Sequence, residues 1–367
     1  MKIVITGANG FIGKNLYIHL KECGFDDVVM IGRDNTDAEL NLALIDADLV
    51  YHLAGVNRPQ EPSEFAIGNL DSTKTIIKIL KEIGRAIPVV YASSIQAELN
   101  NPYGLSKRAA EDALLDYSNE YNVPVYLYRL PNVFGKWSRP FYNSAVATFC
   151  HQISRDEVVT IHDSSAKLQL VYIDDVCKTF INIINDVTST GFQEISPVYE
   201  TNVGELVAQL REFREGRETL IINNVGEGFC RALYSTYISF LSSESFSYAI
   251  PSYADARGVF VEMLKTKNSG QFSYFTARPG ITRGGHYHHS KTEKFLVIRG
   301  EARFRFQHIS SSESVEIFSS GTKPTIVETI PGWAHDITNI GNEEMIVMLW
   351  ANEIFDRNHP DTVSYEI

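Results

Sequence analysis

The sequence predicts an α/β chain in two parts, a doubly wound parallel sheet in the N-terminal part and an all-β barrel or jelly roll in the C-terminal part. Three observations predict it. A β-branched run, Lys2 to Thr6, feeds directly into a glycine turn and then a helical repeat of Leu16, Ile18 and Leu20. Strand-like and helix-like segments alternate from there to Leu130, the pattern of parallel βαβ units. Beyond about Ser245 the period changes to short apolar strands, Val259 to Leu264 among them, between Gly, Pro and Ser turns. At 367 residues the chain exceeds what one core usually serves, so two domains are expected, 1–245 and 246–367.

The bulk numbers exclude several classes. A net charge of -12 argues against a nucleic-acid partner. Cys23, Cys150, Cys177 and Cys230 are widely spaced with no Cys-x-x-Cys, as expected of reduced thiols in a cytoplasm. The chain starts on a strand-like run with no signal-peptide pattern and has no apolar run near ~20 residues, so a soluble cytoplasmic protein without a membrane partner is expected.

The glycine turn reads Gly7-Ala8-Asn9-Gly10-Phe11-Ile12-Gly13, between strand and helix, which is the context in which such a pattern binds a dinucleotide. Glycines let the backbone approach a pyrophosphate, and the helix N-terminus offers amide donors. The second strand, Asp27 to Ile31, ends in Gly32-Arg33 instead of an acidic ribose ligand. An arginine there suits a 2′-phosphate, so NADPH is favoured over NADH, with Lys14 as a helper. A third strand, Asp48 to His52, runs into Leu53-Ala54-Gly55, small enough to let a cofactor pass; His52 is read as packed or cofactor-lining. A helix from about Pro62 to Gly84, a strand Ile87 to Ala92, a helix from Pro102 to about Tyr121 and a strand Val125 to Leu130 follow.

Ser94 closes one of these strands, and Tyr103 and Lys107 stand one helical turn apart just after it. A serine, a phenol and an ammonium around one carbonyl would suit proton transfer to its oxygen, the ammonium being expected to lower the phenol's pKa from ~10.

These residues resemble the extended short-chain dehydrogenase/reductases that act on nucleotide sugars, over roughly residues 1 to 245. The motifs are the glycine turn, His52-Leu53-Ala54-Gly55, Asn69, Ser93-Ser94, Tyr103-Gly104-Leu105-Ser106-Lys107, Arg129 to Gly135 and Leu170 to Val176. The resemblance implies a Rossmann-type fold, a catalytic Ser94, Tyr103 and Lys107, with Lys107 also on the nicotinamide ribose, and Asn132 near the sugar nucleotide. Dehydratases of the family carry Thr-Asp-Glu where this chain has Ser94-Ile95-Gln96, and Ile95 and Gln96 cannot transfer protons, so dehydration is not expected. Leu168 stands where many relatives hold the diphosphate with arginine; Lys167, Lys136 or Arg139 are the alternatives.

In the second part, His286 and His288 are two apart, Glu293 follows, and His335 lies on a distant segment. Three imidazoles and a carboxylate can bind zinc, iron, nickel or manganese. The spacing Gly280, His286-x-His288, Glu293, Gly300, with a looser second motif of Gly332, His335 and Asn339, resembles that of the cupins. The resemblance implies a jelly-roll barrel with one divalent metal, zinc above the others, whether catalytic or structural; metal-free carbohydrate epimerases of that fold are the alternative. Cupins commonly dimerise, which implies a homodimer.

A reductase joined to a cupin resembles the bifunctional enzymes of capsular polysaccharide synthesis in the UDP-N-acetyl-L-fucosamine route. That implies C3 epimerisation of a UDP-4-keto-6-deoxy-N-acetylhexosamine in the cupin part, then NADPH reduction at C4 to UDP-N-acetyl-6-deoxy-L-talosamine. For the C3 base, Tyr287, His289, His308, Asp336 and a water activated by the metal all remain open. A different deoxysugar, a cofactor-sensing regulator and an iron oxygenase joined to a reductase are the other readings.

Overall fold

Strand β1 (Ile3–Thr6) lies second from the edge of a six-stranded parallel sheet, flanked by β2 (Val28–Ile31) on one side and β3 (Leu49–His52) on the other. The computed structural model describes residues 1–185, 190–251, 253–255, 258–260, 264–266, 270–353 and 358–367. Beyond β3 come β4 (Val89–Ser94), β5 (Val125–Leu130) and the strand Gly191–Gln193, all parallel. The order β2-β1-β3-β4-β5 reverses direction between β1 and β3. Doubly wound sheets bind ligands at such a reversal, outside the carboxyl ends of the strands.

Both faces of the sheet are covered, which explains why β1 and β3 are buried at every position. On one face Val4, Val50, Val89, Tyr91 and Leu127 pack with Ile76, Leu80, Ala110 and Leu114 from the helices. On the other, Tyr51 donates its hydroxyl proton to the Phe180 carbonyl at 2.8 Å, and the rings stack at 6.0 Å. The expected helix from Pro102 runs Pro102–Tyr121. It starts there because Asn101 Oδ1 accepts from the Gly104 amide at 2.7 Å and Pro102 fits the first turn.

Two local features depart from the expected elements. The helix expected over Pro62 to Gly84 is broken into Ser63–Phe65, a π-helical turn Ala66–Asp71, and Ser72–Ile83. The turn exists to bury Asn69, whose amide bonds both backbone groups of Val56 at 3.0 Å and donates to Ser106 Oγ at 2.9 Å. A helix Asp37–Ile45 follows β2, closed by a capping box between Thr36 and Glu39.

By compactness the chain forms two units, each gathered from several stretches. The first holds Met1–Phe134, Phe141–Ser144 and Leu168–Glu200; the second holds Gly135–Pro140, Ala145–Lys167 and Thr201–Ile367. In the second, helices Val203–Thr219 and Gly228–Ile238 meet through Phe213, 5.0 Å from the Tyr234 ring. Besides these and a helix Ala145–Ile153, the described residues of this unit form two five-stranded antiparallel sheets, a double-sheet jelly roll, and two short strand pairs. One contains Gln271–Ala277, Glu293–Arg299, Thr325–Glu328 and Met345–Ala351. The other contains Thr282–Tyr287, Glu301–His308, Ser314–Ser320 and Trp333–Asn339. Phe295 of the first packs on Phe304 of the second at 5.7 Å, which places the core between them. The strand expected at 259–264 is described as Gly258–Phe260; positions 261–263 lie outside the described residues. Among the described residues no helix is long and apolar enough to cross a membrane.

Candidate functional site

The glycine turn sits at the carboxyl end of β1, at the reversal of the sheet. Gly7 has φ +68°, and a Cβ on it would come within 2.6 Å of the Ala54 amide, so Leu53-Ala54 can lie against the turn only if position 7 has no side chain. At Gly13 a Cβ would stand 2.6 Å from Ala8 Cα, so this glycine sets how closely the first helix packs. That helix, Phe11–Glu22, begins after Gly10 with no side-chain cap. Its first amides face a surface where Asn9 and Gly10 are exposed, as an incoming pyrophosphate requires. Ile12 is half-buried, Asn9 lies against Gly32, and Arg33 is exposed just after β2.

His52, at the end of β3, is fully buried between Thr6 Oγ1 at 2.8 Å and Thr73 Oγ1 at 2.9 Å. Burial, assisted by the Lys107 charge, pushes its pKa down to about 3. It ties β1, β3 and a helix together and has no proton to exchange with a ligand near neutrality.

Ser94 ends β4 and accepts from the Gln96 amide at 3.2 Å, starting a 3-10 turn. Its side chain also stands beside the Tyr103 hydroxyl, in the first turn of the following helix, close enough to pull the phenol's pKa down. One turn on, Lys107 is buried, donating to Tyr91 Oη at 3.2 Å and to the Ala92 carbonyl at 3.0 Å. A Cβ on Gly55 would lie 3.2 Å from Lys107 Nζ, so the small residues after β3 also border the lysine. The structure thus brings Ser94, Tyr103, Lys107 and Gly55 together.

One electrostatic expectation fails. The ammonium does not lower the Tyr103 pKa: burial raises it, and only the Ser94 side chain pulls the other way. Burial likewise lowers Lys107 to about 8. Both groups are taken out of water, and desolvation outweighs their mutual effect.

Sequence reasoning missed the support beneath them. Glu111, one turn beyond Lys107, is buried and held by Arg129, with Nη2 to Oε2 at 2.6 Å and Nε to Oε1 at 3.0 Å; Ser93 Oγ donates to the same carboxylate. The four-residue step from Lys107 to Glu111 was the available signal. Asn132 is exposed on the short strand Asn132–Phe134 of the first unit. Lys136, buried with its Nζ 5.5 Å from the Trp137 ring centre, and the exposed Arg139 belong to the second unit.

In the second unit the register of Thr282–Tyr287 places His286 opposite His335, after an irregularity between Gly284 and His286. The ring centres of His286, His288 and His335 lie 4.7 to 5.3 Å apart. One donor atom from each, with a Glu293 oxygen, falls within a 4.8 Å cluster. Glu293 Oε2 is 3.2 Å from His288 Nε2 and 3.6 Å from His335 Nε2, while Lys291 holds Oε1 at 2.7 Å.

The donors fit a divalent cation. Both ring nitrogens of the buried His335 lack a hydrogen bond, a costly state that a ligand would relieve. Burial and the neighbouring imidazoles push His286 down to about 3, and burial lowers His335, so both rings present lone pairs. Burial would raise Glu293, but His288, His335 and Lys291 outweigh it and hold the carboxyl well below its ordinary range. Three imidazoles and one carboxylate form a donor set suited to zinc and similar metals.

Of the other polar groups near this cluster, Asp336 is clamped by Arg305 through both carboxylate oxygens. Tyr287 is buried between His289 and Tyr365, and His308 lies between Trp137 and Trp333.

A family profile described as the NAD dependent epimerase/dehydratase family matches residues 3–195, just over half of the chain. The chain belongs to the NAD dependent epimerase/dehydratase family. Membership makes a nicotinamide dinucleotide the cofactor class of this part of the chain. In this epimerase/dehydratase chain, residues 253–363 match a second profile, the polysaccharide biosynthesis C-terminal domain. A relative in Pseudomonas aeruginosa (strain PA103), described as UDP-2-acetamido-2,6-beta-L-arabino-hexul-4-ose reductase, is 56% identical over 100% of this chain and 99% of its own length. Among solved structures, the capsular polysaccharide assembling protein CapF from Staphylococcus aureus matches 100% of both chains at 40% identity, with a TM-score of 0.69. The UDP-glucose 4-epimerase of Thermus thermophilus, solved with NAD, matches 58% of this chain and 83% of its own at 19% identity and a TM-score of 0.52. That last likeness speaks for the fold of the epimerase/dehydratase part alone.

Proposed function

We propose that this chain is a bifunctional enzyme of UDP-sugar metabolism. Its N-terminal part, to about Ser245, reduces C4 of a UDP-4-keto-6-deoxy-N-acetylhexosamine with NADPH, and its C-terminal part, a cupin, first epimerises C3 with a divalent metal, zinc before others. The product is UDP-N-acetyl-6-deoxy-L-talosamine, a precursor for capsular polysaccharide. The observation that carries the reading is the convergence of Ser94, Tyr103 and Lys107 at the carboxyl end of β4, in a chain 56% identical to a named hexul-4-ose reductase.

The chemistry follows from the groups present. When bound, the reduced nicotinamide supplies a hydride to the carbonyl carbon. Tyr103 Oη then donates its proton to the carbonyl oxygen, and the neighbouring Ser94 holds that oxygen in line. A phenol raised by burial arrives protonated, which suits an acid in the reducing direction. Lys107, charged below about pH 8, can bind ribose hydroxyls beside Gly55, one helical turn from the phenol. Ile95 and Gln96 supply no acid or base, so no water is eliminated.

At the second site His286, His288, Glu293 and His335 would hold the cation, which supplies positive charge to stabilise an enolate next to the ketone. A proton on C3 is acidic because of that ketone, so epimerisation precedes reduction, which removes it. Asp336 is occupied by Arg305, which leaves Tyr287, His289 and His308 as the side chains to test as base. Arg33 supports NADPH, and assembly as a homodimer is part of the same proposal.

The test offers a UDP-4-keto-6-deoxyhexosamine in deuterated water. Deuterium should enter C3 without cofactor, and NADPH should be oxidised when added. No oxidation with any 4-keto sugar nucleotide would overturn the reductase reading, and exchange that persists after deletion of 246–367 would overturn the division of labour.

A further inference from the structure

The four candidate metal ligands lie between residues 286 and 335, yet three of them are held in place from residues 361–365. The backbone carbonyl of Asp361 accepts a hydrogen bond from His288 Nδ1. That bond uses the Nδ1 proton and aims Nε2 at Glu293 Oε2, 3.2 Å away. Nε2 and that oxygen thus face one point, where a cation would take both as ligands.

The Asp361 side chain does a second task. Its Oδ1 accepts from the His289 amide at 2.8 Å, and its Oδ2 accepts from the amides of Ser290 and Lys291, both at 2.7 Å, and from Ser290 Oγ at 2.9 Å. Three successive amides turned onto one carboxylate fix the path of the turn between His288 and Glu293. Lys291 leaves that turn with its Nζ 2.7 Å from Glu293 Oε1, so only Oε2 faces the imidazoles. Just beyond, Ser364 pairs with His286 and Val363 with Tyr287, and the Tyr365 amide donates to the Gly285 carbonyl at 2.8 Å.

We propose that Asp361 is a positioning residue for the metal centre: it sets the orientation of the His288 ring through its carbonyl and the seat of Lys291 and Glu293 through its carboxylate. The proposal rests on the metal reading above. Outer partners of this kind tune ligand affinity by roughly 10- to 100-fold without touching the metal.

The test uses the full chain, with zinc affinity measured by competition against a chromogenic chelator and the visible absorption bands of bound Co2+ as a report on geometry. Asp361→Ala should weaken zinc binding by about 10-fold or more and shift the Co2+ bands. Asp361→Asn, which keeps one acceptor oxygen for Ser290 and Lys291, should fall between Ala and the parent, and it keeps the test open if the alanine variant fails to fold. A parent protein that binds neither ion overturns the metal reading and this proposal with it. A parent that binds, with variants that bind as tightly and show the same bands, overturns this proposal alone, even if their metal-free Tm falls.

Discussion

Lys107 donates to the Tyr91 hydroxyl at 3.2 Å while its ammonium stands 4.7 Å from the centre of the same ring. Tyr91 is thus the floor on which a buried charge rests, and that charge is costly: burial lowers the Lys107 pKa to about 8, against an ordinary value of 10.5. Between those two values the unfolded chain binds more protons than the folded one, so stability rises with pH across that window. Lys107→Met should abolish reduction and raise the Tm of the cofactor-free protein at pH 7. Scanning calorimetry from pH 7 to 10 should show the gap closing as the parent loses its buried charge, and a gap that stays constant would refute this account.

Tyr103→Phe removes the proposed proton donor and leaves the packing against Phe65, whose ring lies 5.5 Å away. NADPH oxidation should fall by about 10²- to 10⁴-fold. Deuterium entry at C3 should continue at the parent rate; its loss would mean that one site performs both steps.

Arg129→Ala leaves the buried Glu111 carboxylate without its main partner. Breaking a buried pair costs roughly 3–5 kcal/mol, and the partial exposure of Arg129 puts this one near the low end, about 3 kcal/mol. Urea midpoints would read it. Replacing both residues by leucine should cost less than the single change, and an equal or larger cost would show that the pair contributes more than mutual neutralisation.

Arg33→Ala tests the cofactor's phosphate. An exposed guanidinium after β2 can fork onto a 2′-phosphate but has nothing to grip on a bare ribose. KM for NADPH should rise about 10-fold, worth ~1.4 kcal/mol, with KM for NADH unchanged. Parallel rises for both would assign the residue to general structure.

His335→Ala takes one ligand from the cluster and should drop bound zinc below one half per chain by elemental analysis. Added zinc should then no longer raise Tm, whereas the parent's Tm should climb with zinc concentration, as for any ligand that binds the folded state. A variant that keeps its zinc would remove His335 from the set.

What could be read in the sequence was whatever depends on near neighbours. The turn Gly7 to Gly13, the step from Tyr103 to Lys107 and the pair His286 and His288 are short patterns whose geometry follows from the period of a strand or helix. The helix Asp37–Ile45 was equally legible in Thr36 and Glu39, a capping box that went unread. Tyr91 and Asp361 could not be read: one lies 16 residues from Lys107 and the other 73 from His288, and nothing in the spacing tells that these pairs meet. The direction of the Tyr103 shift was misread for a similar reason. Sequence spacing places a charge beside a phenol, but burial decided the sign, and burial belongs to the folded chain.

The π-helical turn Ala66–Asp71 constrains how this chain can change over generations. It accommodates one residue more than a regular turn, and that extra residue aims Asn69 at Val56 and Ser106, the latter donating to the Tyr103 carbonyl at 2.7 Å. Losing one residue of the turn other than Asn69 would let the helix run straight and would swing Asn69 by about 100° away from both partners. The shorter chain would have the more regular helix and the poorer active site. Exposed positions such as Ile67 can vary, but Asn69, Gly68, against which Val56 packs, and the length of the turn are fixed by the contacts it makes.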